Sequence, residues 1–342
     1  MVSRRSQSNC HATRSSSSAE CEYRSLTKTH GIAVAQVRVV IRKWLMRRFC
    51  GSRVLRYANF TLTGVVNSNR VRVPVVAGLG MMPVPLWEQE PWLNRTIATL
   101  LAESSGAFVD VGVNLGQTLI KVKTLQADRA YIGFEPNPTC VAYVRRLVAA
   151  NRFRDTTIVP FGLSDSARAL PLFARSEDPA DSSATVVPDL YVTQETWERT
   201  PVAVIPGDEA LAALGVGRVG VLKIDVEGAE LEVIRGLERT LRAHRPSVIC
   251  ELLPSYAPGQ KRWAFRQPRA EAVVATMRSL GYRLFRLLPS GEALPLDAIE
   301  PHSDNSLTNY AFVPPDVVAA FTRGTMTSAA ARSAVSVNQS AS

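Results

Sequence analysis

Long apolar runs, histidines, paired cysteines and, at one end, acids are all scarce in this 342-residue chain. No stretch reaches the ~18 to 20 consecutive apolar residues that a helix needs to cross a bilayer. The chain is therefore expected to be soluble or peripheral rather than integral. Its five cysteines, Cys10, Cys21, Cys50, Cys140 and Cys250, show no CxxC spacing, and three fall in the first fifty residues. That argues against a disulfide framework or a zinc site and fits a reducing compartment. The four histidines, His11, His30, His244 and His302, are scattered, with two near the start. A histidine-rich metal centre is not expected, and no metal ligand is assigned.

Acids are nearly missing from residues 1 to 60, where only Glu20 and Glu22 face twelve basic side chains. That segment carries the whole formal charge of +10, and residues 61 to 342 hold 28 charges of each sign. A basic chain attracts phosphate, but here the charge belongs to a terminal segment, so a nucleic-acid partner is not expected for the body. The first 25 residues, with eight serines, have too little apolar surface to offset chain entropy. Residues 1–30 read as a disordered basic leader, with an organellar transit peptide or a misplaced start codon as the alternatives. Residues 32–49 (IAVAQVRVVIRKWLMRRF), within a segment 31–59, set Arg38, Arg42 and Lys43 against Ile41, Trp44, Leu45 and Phe49. This reads either as a basic amphipathic helix on an anionic membrane or as a helix packed on the domain with its arginines in water.

Residues 60 to 76 read as a hairpin with its turn at Asn67-Ser68-Asn69. Pro91 opens a helix to about 103, and residues 60–104 form an N-terminal cap. From 107 to 252 the apolar runs AFVDV, AYIGF, TTIVPF, VGVLKI and SVICEL alternate with mixed segments, the pattern of βαβ units and a largely parallel sheet. The main domain is placed at 105–318 and a disordered tail at 319–342. Ligands of such sheets bind beyond the carboxyl ends of the strands, where the strand order reverses, so the residues after each run are the candidates.

The first strand runs into Asp110, Gly112, Asn114 and Gly116, a D-x-G-x-N-x-G turn. Its glycines allow a tight turn and close approach of a ligand, and the helix start that follows can hold a carboxylate or phosphate; read alone, it is equally an ordinary tight turn. The third glycine of a dinucleotide fingerprint is missing. The second strand ends in Glu135, where an acid can accept from both hydroxyls of a ribose, before Pro136-Asn137-Pro138 and a helix into residue 151. The third ends in Gly162-Leu163-Ser164-Asp165, small polar groups that could meet an adenine edge or form an ordinary Ser-Asp turn. The fourth gives Lys223, Asp225 and Glu227, three charges alternating with apolar residues on one face. Such a cluster is costly unless paired or solvated and marks a functional site, or else a buried ion pair fixing the turn.

Together DVGVNLGQT, FEPNP, GLSD and KIDVEGAELEVIRG resemble the FkbM-type S-adenosylmethionine-dependent methyltransferases, over about residues 62 to 313. The resemblance implies a class I, Rossmann-like α/β fold: a seven-stranded, mostly parallel sheet flanked by helices, with S-adenosylmethionine as donor and a hydroxyl as acceptor. By position, Asp110, Gly112, Asn114 and Gly116 would line the methionine end of the donor and Glu135 would hold its ribose. Ser164 and Asp165 would lie near the adenine, and Asp225 and Glu227 would face the acceptor. One departure is Pro206-Gly207-Asp208, where the family often has Thr-Leu-Asp; Asp208 is either a helix N-cap or a ligand.

A sulfonium methyl is already electrophilic, so the protein must chiefly hold acceptor oxygen, methyl and sulfur in line. A neutral hydroxyl also needs a base, typically worth about 10² to 10⁴-fold. Asp225 or Glu227 is the expected base with Lys223 orienting it, and His302 is the second choice. A divalent ion held by Asp225 and neighbouring acids is an alternative way to activate the hydroxyl. A module that has lost catalysis and binds membrane or polymer is the alternative outside enzymes. The expected acceptor is a sugar hydroxyl on a glycolipid, polysaccharide or secondary metabolite, with residues 174 to 205 forming part of its surface. The expected location is cytoplasmic, either free or peripheral to the inner face of a membrane.

Overall fold

Alternation of side chains along the central strands decides the architecture. In the strand Ala107–Val111 (β3), Ala107, Val109 and Val111 pack into one apolar cluster while Phe108 packs into another. The strand Val219–Ile224 (β9) splits in the same way, Leu222 and Ile224 against Val221. A strand that buries both faces must be covered by helices on both. The protein is accordingly a three-layer α/β/α sandwich with one core on each side of the sheet.

The computed structural model describes residues 59–76 and 90–325, apart from 177, 179, 189 and 192–195, all within one compact unit. The basic leader and the amphipathic segment 31–59 (save Asn59), and the stretch with Pro83, Pro85 and Trp87, lie outside the described residues.

The hairpin Asn59–Val66 (β1) and Asn69–Val76 (β2) turns through Asn67 and Ser68, at φ 47° and 63°. Two positive φ values in a two-residue loop are those of a primed turn, which matches strand twist. Pro91–Ala102 (α1) leads into β3, followed by Gln117–Leu125 (α2), Tyr131–Phe134 (β4), Pro138–Asn151 (α3) and Thr156–Val159 (β5). Asn151 clamps the hairpin to α3, its side chain bonding both backbone groups of Arg72 at 2.7 Å. Gly162–Ser164 (β6), Arg168–Ala174 (β7) and Glu198–Pro206 (β8) make a separate three-stranded sheet in the order β6-β8-β7. Gly207–Ala213 (α4), β9, Glu230–Gly236 (α5), Glu238–His244 (α6), Ser247–Glu251 (β10) and Lys261–Ser279 (α7) follow. Arg283–Leu287 (β11), Ala293–Leu296 (β12), Asn309–Val313 (β13) and Pro315–Thr325 (α8) complete the described chain.

The main sheet has the order β12-β11-β13-β10-β9-β3-β4-β5. Its five strands from β10 to β5 pair in parallel, and β13, β11 and β12 are antiparallel additions. Eight strands stand where seven were expected, because Ala293–Leu296 folds back on β11 as a short edge strand. The chain leaves β3 toward β4 and β5 on one side and returns to β9 and β10 on the other. The order therefore reverses between β3 and β9, and a crevice opens beyond their carboxyl ends.

Two expectations need correction. The run TTIVPF is not one sheet unit: β5 stops at Val159, and Gly162 begins the smaller sheet. The tail expected from residue 319 is helical to Thr325, because Pro315 starts a helix whose Phe321 is fully buried against Phe285. Gly324 lets α8 lie directly on Thr99 of α1.

Candidate active site

Beyond the reversal point lies a cleft of about 280 Å³. Four strand ends supply it: Gly112 to Asn114 after β3, Glu135 to Asn137 after β4, Asp225 to Glu227 after β9, and Glu251 closing β10. Six acids line it, Glu90, Glu135, Asp181, Asp225, Glu227 and Glu251, against one cation, Lys223.

The loop after β3 is held by the chain itself. Gly112, at φ 90°, sits so close to the β9 end that a Cβ would fall 1.8 Å from the Asp225 carbonyl oxygen. Gly116, at φ 83°, is packed on Leu147. Protein therefore fills the space a side chain would take at both glycines, while Gly112 still lines the cleft and Gly116 is not among the lining residues. Glu135, 6% exposed, accepts the Asn114 N–H at 2.7 Å and the Asn137 N–H at 2.8 Å, one on each oxygen. Burial pushes its carboxyl up to about 7, against those two backbone bonds, which lower it. Each oxygen retains a lone pair for a further donor.

Asp110 is completely buried beneath the cleft rather than in its wall. It accepts from the Tyr131 hydroxyl and faces Lys223 at 3.9 Å, its partner in strand register. Burial raises it to about 6, with Lys223 opposing. Lys223 is bonded to Asp225 at 2.8 Å. Burial disfavours its charge, but Asp225 and Asp110 outweigh that and hold it above the usual lysine value. Of the three charges expected on one face, Lys223 and Asp225 join Asp110 in an internal chain, Asp110–Lys223–Asp225, and Glu227 lies beyond it.

Glu227 stands in the left-handed region, φ 52°. The Tyr191 hydroxyl donates to its carboxylate at 2.5 Å, and Thr185 Oγ1 donates to its carbonyl at 2.6 Å. Burial and then the Asp225 charge push Glu227 up to about 8. Glu251 accepts from Thr308 Oγ1 at 3.0 Å, and burial followed by the charges of Asp225 and Glu227 raises it to about 9.

Of the sequence candidates, Gly112, Asn114, Glu135, Lys223, Asp225 and Glu227 come together in the cleft wall. Ser164 and Asp165 lie outside it: Ser164 is buried with its carbonyl against Gly236, and both contact Arg168. Gly162 and Leu163, just before them, line the cleft instead. His302 also lies outside the wall, its Nε2 3.2 Å from the Tyr310 hydroxyl. Asp208 does not cap its own helix, whose N-cap is Pro206; it accepts from the backbone of Arg239 and Thr240 at the start of α6.

Glu251, Asp181 and Tyr191 were not picked out from the sequence. Glu251 is legible by the same strand-end rule, since it closes the run SVICEL. Asp181 and Tyr191 have no spacing signal; they lie in the 174 to 205 segment, which composition marked only as a whole. Among the described residues no group of three or more His, Cys, Asp or Glu is arranged to hold a metal ion, and no helix is long and apolar enough to cross a membrane.

A donor that carries positive charge and a ribose fits this cleft. The acid excess attracts the charge, and Glu135 offers two acceptor oxygens already oriented by backbone N–H groups. Residues 110–284 match the Methyltransferase FkbM domain family. Methyltransferase sdnD of Sordaria araneosa is 30% identical over 161 residues, covering 40% of this chain and 61% of that protein. Hexuronic acid methyltransferase AglP of Haloferax volcanii is 31% identical over 144 residues, covering 42% and 54%. The chain thus spans little more than half the length of these curated relatives. The solved structure of Methyltransferase FkbM from Methylobacillus flagellatus KT aligns over 61% of this chain and 43% of its own, with 16% identity and TM-score 0.39.

Proposed function

Because the chain belongs to the FkbM methyltransferase family, we propose that it moves a methyl group from S-adenosylmethionine to a hydroxyl, on a sugar of a glycolipid, polysaccharide or secondary metabolite. The donor, when bound, supplies a methyl on a positively charged sulfur, already primed for displacement. Glu135 would hold the ribose hydroxyls, and the loop Gly112–Asn114 with Gln117 and Thr118 would hold the methionine end. The acids at the ends of β9 and β10 would face the acceptor.

The observation that carries this reading is the different state of two neighbouring carboxylates. Asp225 is bonded to Lys223; among the described residues Glu227 forms no salt bridge, and burial raises its carboxyl to about 8. A base works best when its pKa lies near the working pH, which selects Glu227. Positive charge entering beside it would favour its ionised form. As the acceptor oxygen bonds to the methyl, its proton passes to Glu227 and the sulfur loses its charge, so charge is conserved. A carboxylate acceptor needs no base, so a carboxyl placed to take a proton supports a hydroxyl. The relative that acts on a hexuronic acid agrees with a sugar, which carries several.

Mass spectrometry of glycolipids, polysaccharides and small hydroxylated metabolites from deletion and complemented cells tests the proposal. One species should lose a methyl group on deletion and regain it on complementation with the wild-type chain. Identical spectra would contradict it.

A further inference from the structure

The segment between β7 and β8 reaches across the cleft and touches the catalytic loop at two points of one residue. Thr185 is anchored by an isolated β-bridge to Phe173, with backbone bonds of 2.8 and 3.0 Å, and its hydroxyl donates to the Glu227 carbonyl. Six residues on, Tyr191 donates to the Glu227 carboxylate. The ring of Tyr191 stacks on Trp197 at 5.2 Å and lies 5.8 Å from the Arg266 guanidinium, which also lies 5.9 Å from the Tyr256 ring. Arg266 in turn donates to the carbonyls of Leu190 and Pro254. Trp197 and Arg266 thus hold the phenol against the carboxylate, while Thr185 holds the carbonyl of the same glutamate. A non-glycine residue in the left-handed region persists only where its surroundings hold it.

We propose that Tyr191 is the positioning residue of the acid cluster: through its hydroxyl it orients the Glu227 carboxylate toward the acceptor and favours its ionised, proton-accepting form. This rests on Glu227 being the base. The other charged groups facing Glu227 are Asp225 just after β9, itself bonded to Lys223, Glu230 from α5, Glu251 from β10 and Arg266 from α7. The acids among them disfavour its charge, and burial does so most. Tyr191 and Arg266 oppose that shift, and burial together with the Glu227 charge raises the phenol well above its ordinary value, so it remains a donor.

The test is the titration of Glu227 in full-length protein labelled with ¹³C at glutamate Cδ, assigned by its loss in Glu227→Gln. Tyr191→Phe keeps the ring and its stacking while removing the donor. The titration should move up by about one pH unit, the scale of one hydrogen bond to a charged group. Fluorotyrosine at 191, a stronger donor of the same shape, should move it down, and its near-identity to tyrosine keeps the test available if the phenylalanine variant unfolds. Opposite shifts would support the role; no shift, or two shifts of one sign, would overturn it. No acceptor is needed, so the result is separable from the reading of Glu227 as base. That reading would fail on its own if Glu227→Gln kept wild-type turnover.

Discussion

Asp225 and Glu227 are two residues apart and line the same crevice, yet Asp225 is bonded to a lysine and Glu227 is a carboxyl that burial raises to about 8. Their replacement should therefore do different things. Glu227→Gln is expected to lower turnover by about 10² to 10⁴-fold while leaving affinity for S-adenosylhomocysteine and thermal stability near wild type. Asp225→Asn removes the near partner of the buried Lys223, leaving Asp110 at 3.9 Å, and a buried charge deprived of its partner is destabilising. It should lower the melting temperature more than Glu227→Gln does. Calorimetry and single-turnover assays on the two variants separate these outcomes. The sequence shows all three charges of KIDVEG but not their pairing. Strand alternation says that they share a face, and only the register of β3 against β9, which brings Asp110 opposite Lys223, says which acid the lysine takes. Asp110, Ser164 and Asp165 illustrate the converse: a place near a strand end does not tell whether a side chain faces the crevice or the layer beneath.

At the scale of elements, the parallel strands are legible because they are short, mainly apolar runs, and the crevice follows from them. The eighth strand is not legible: Ala293–Leu296 is four residues long, contains Pro295 and is half-buried, so it has neither alternation nor a continuous apolar run. The last helix reads as tail from residue 319 because its large apolar residues, Val317, Val318 and Phe321, are few and are followed by Arg323, Gly324 and Thr325. Its packing is long-range, on α1 and on Phe285, which no local pattern reveals. Phe321→Ala should lower unfolding free energy by about 3 to 5 kcal/mol, the usual loss for emptying a fully buried aromatic site, measured by urea denaturation. A solvated tail would give no change.

For the whole molecule, the body is charge-balanced while its cleft concentrates acids, and that separation predicts how stability follows pH. Glu135, Glu227, Glu230 and Glu251 lie at about 7, 8, 7 and 9 in the folded protein against an ordinary 4.5. They bind protons more tightly folded than unfolded, so their contribution is complete below about 4.5 and is lost as pH rises through 7 to 9. Asp165, Asp181 and Asp304 are shifted down instead, so the stability they add is complete above their ordinary value of 3.8 and is lost only as pH falls below it. The ligand-free protein should therefore melt at lower temperature at pH 8.5 than at pH 6, followed by scanning calorimetry. The central claim is that the acid-lined crevice at the β3/β9 reversal receives the methyl donor, with Glu135 on its ribose. Isothermal titration of S-adenosylhomocysteine into the wild type and Glu135→Gln tests it most directly. Saturable binding by the wild type, weakened about tenfold or more in the variant, is the expected result, whereas no binding by the wild type, or equal binding by both, would contradict it.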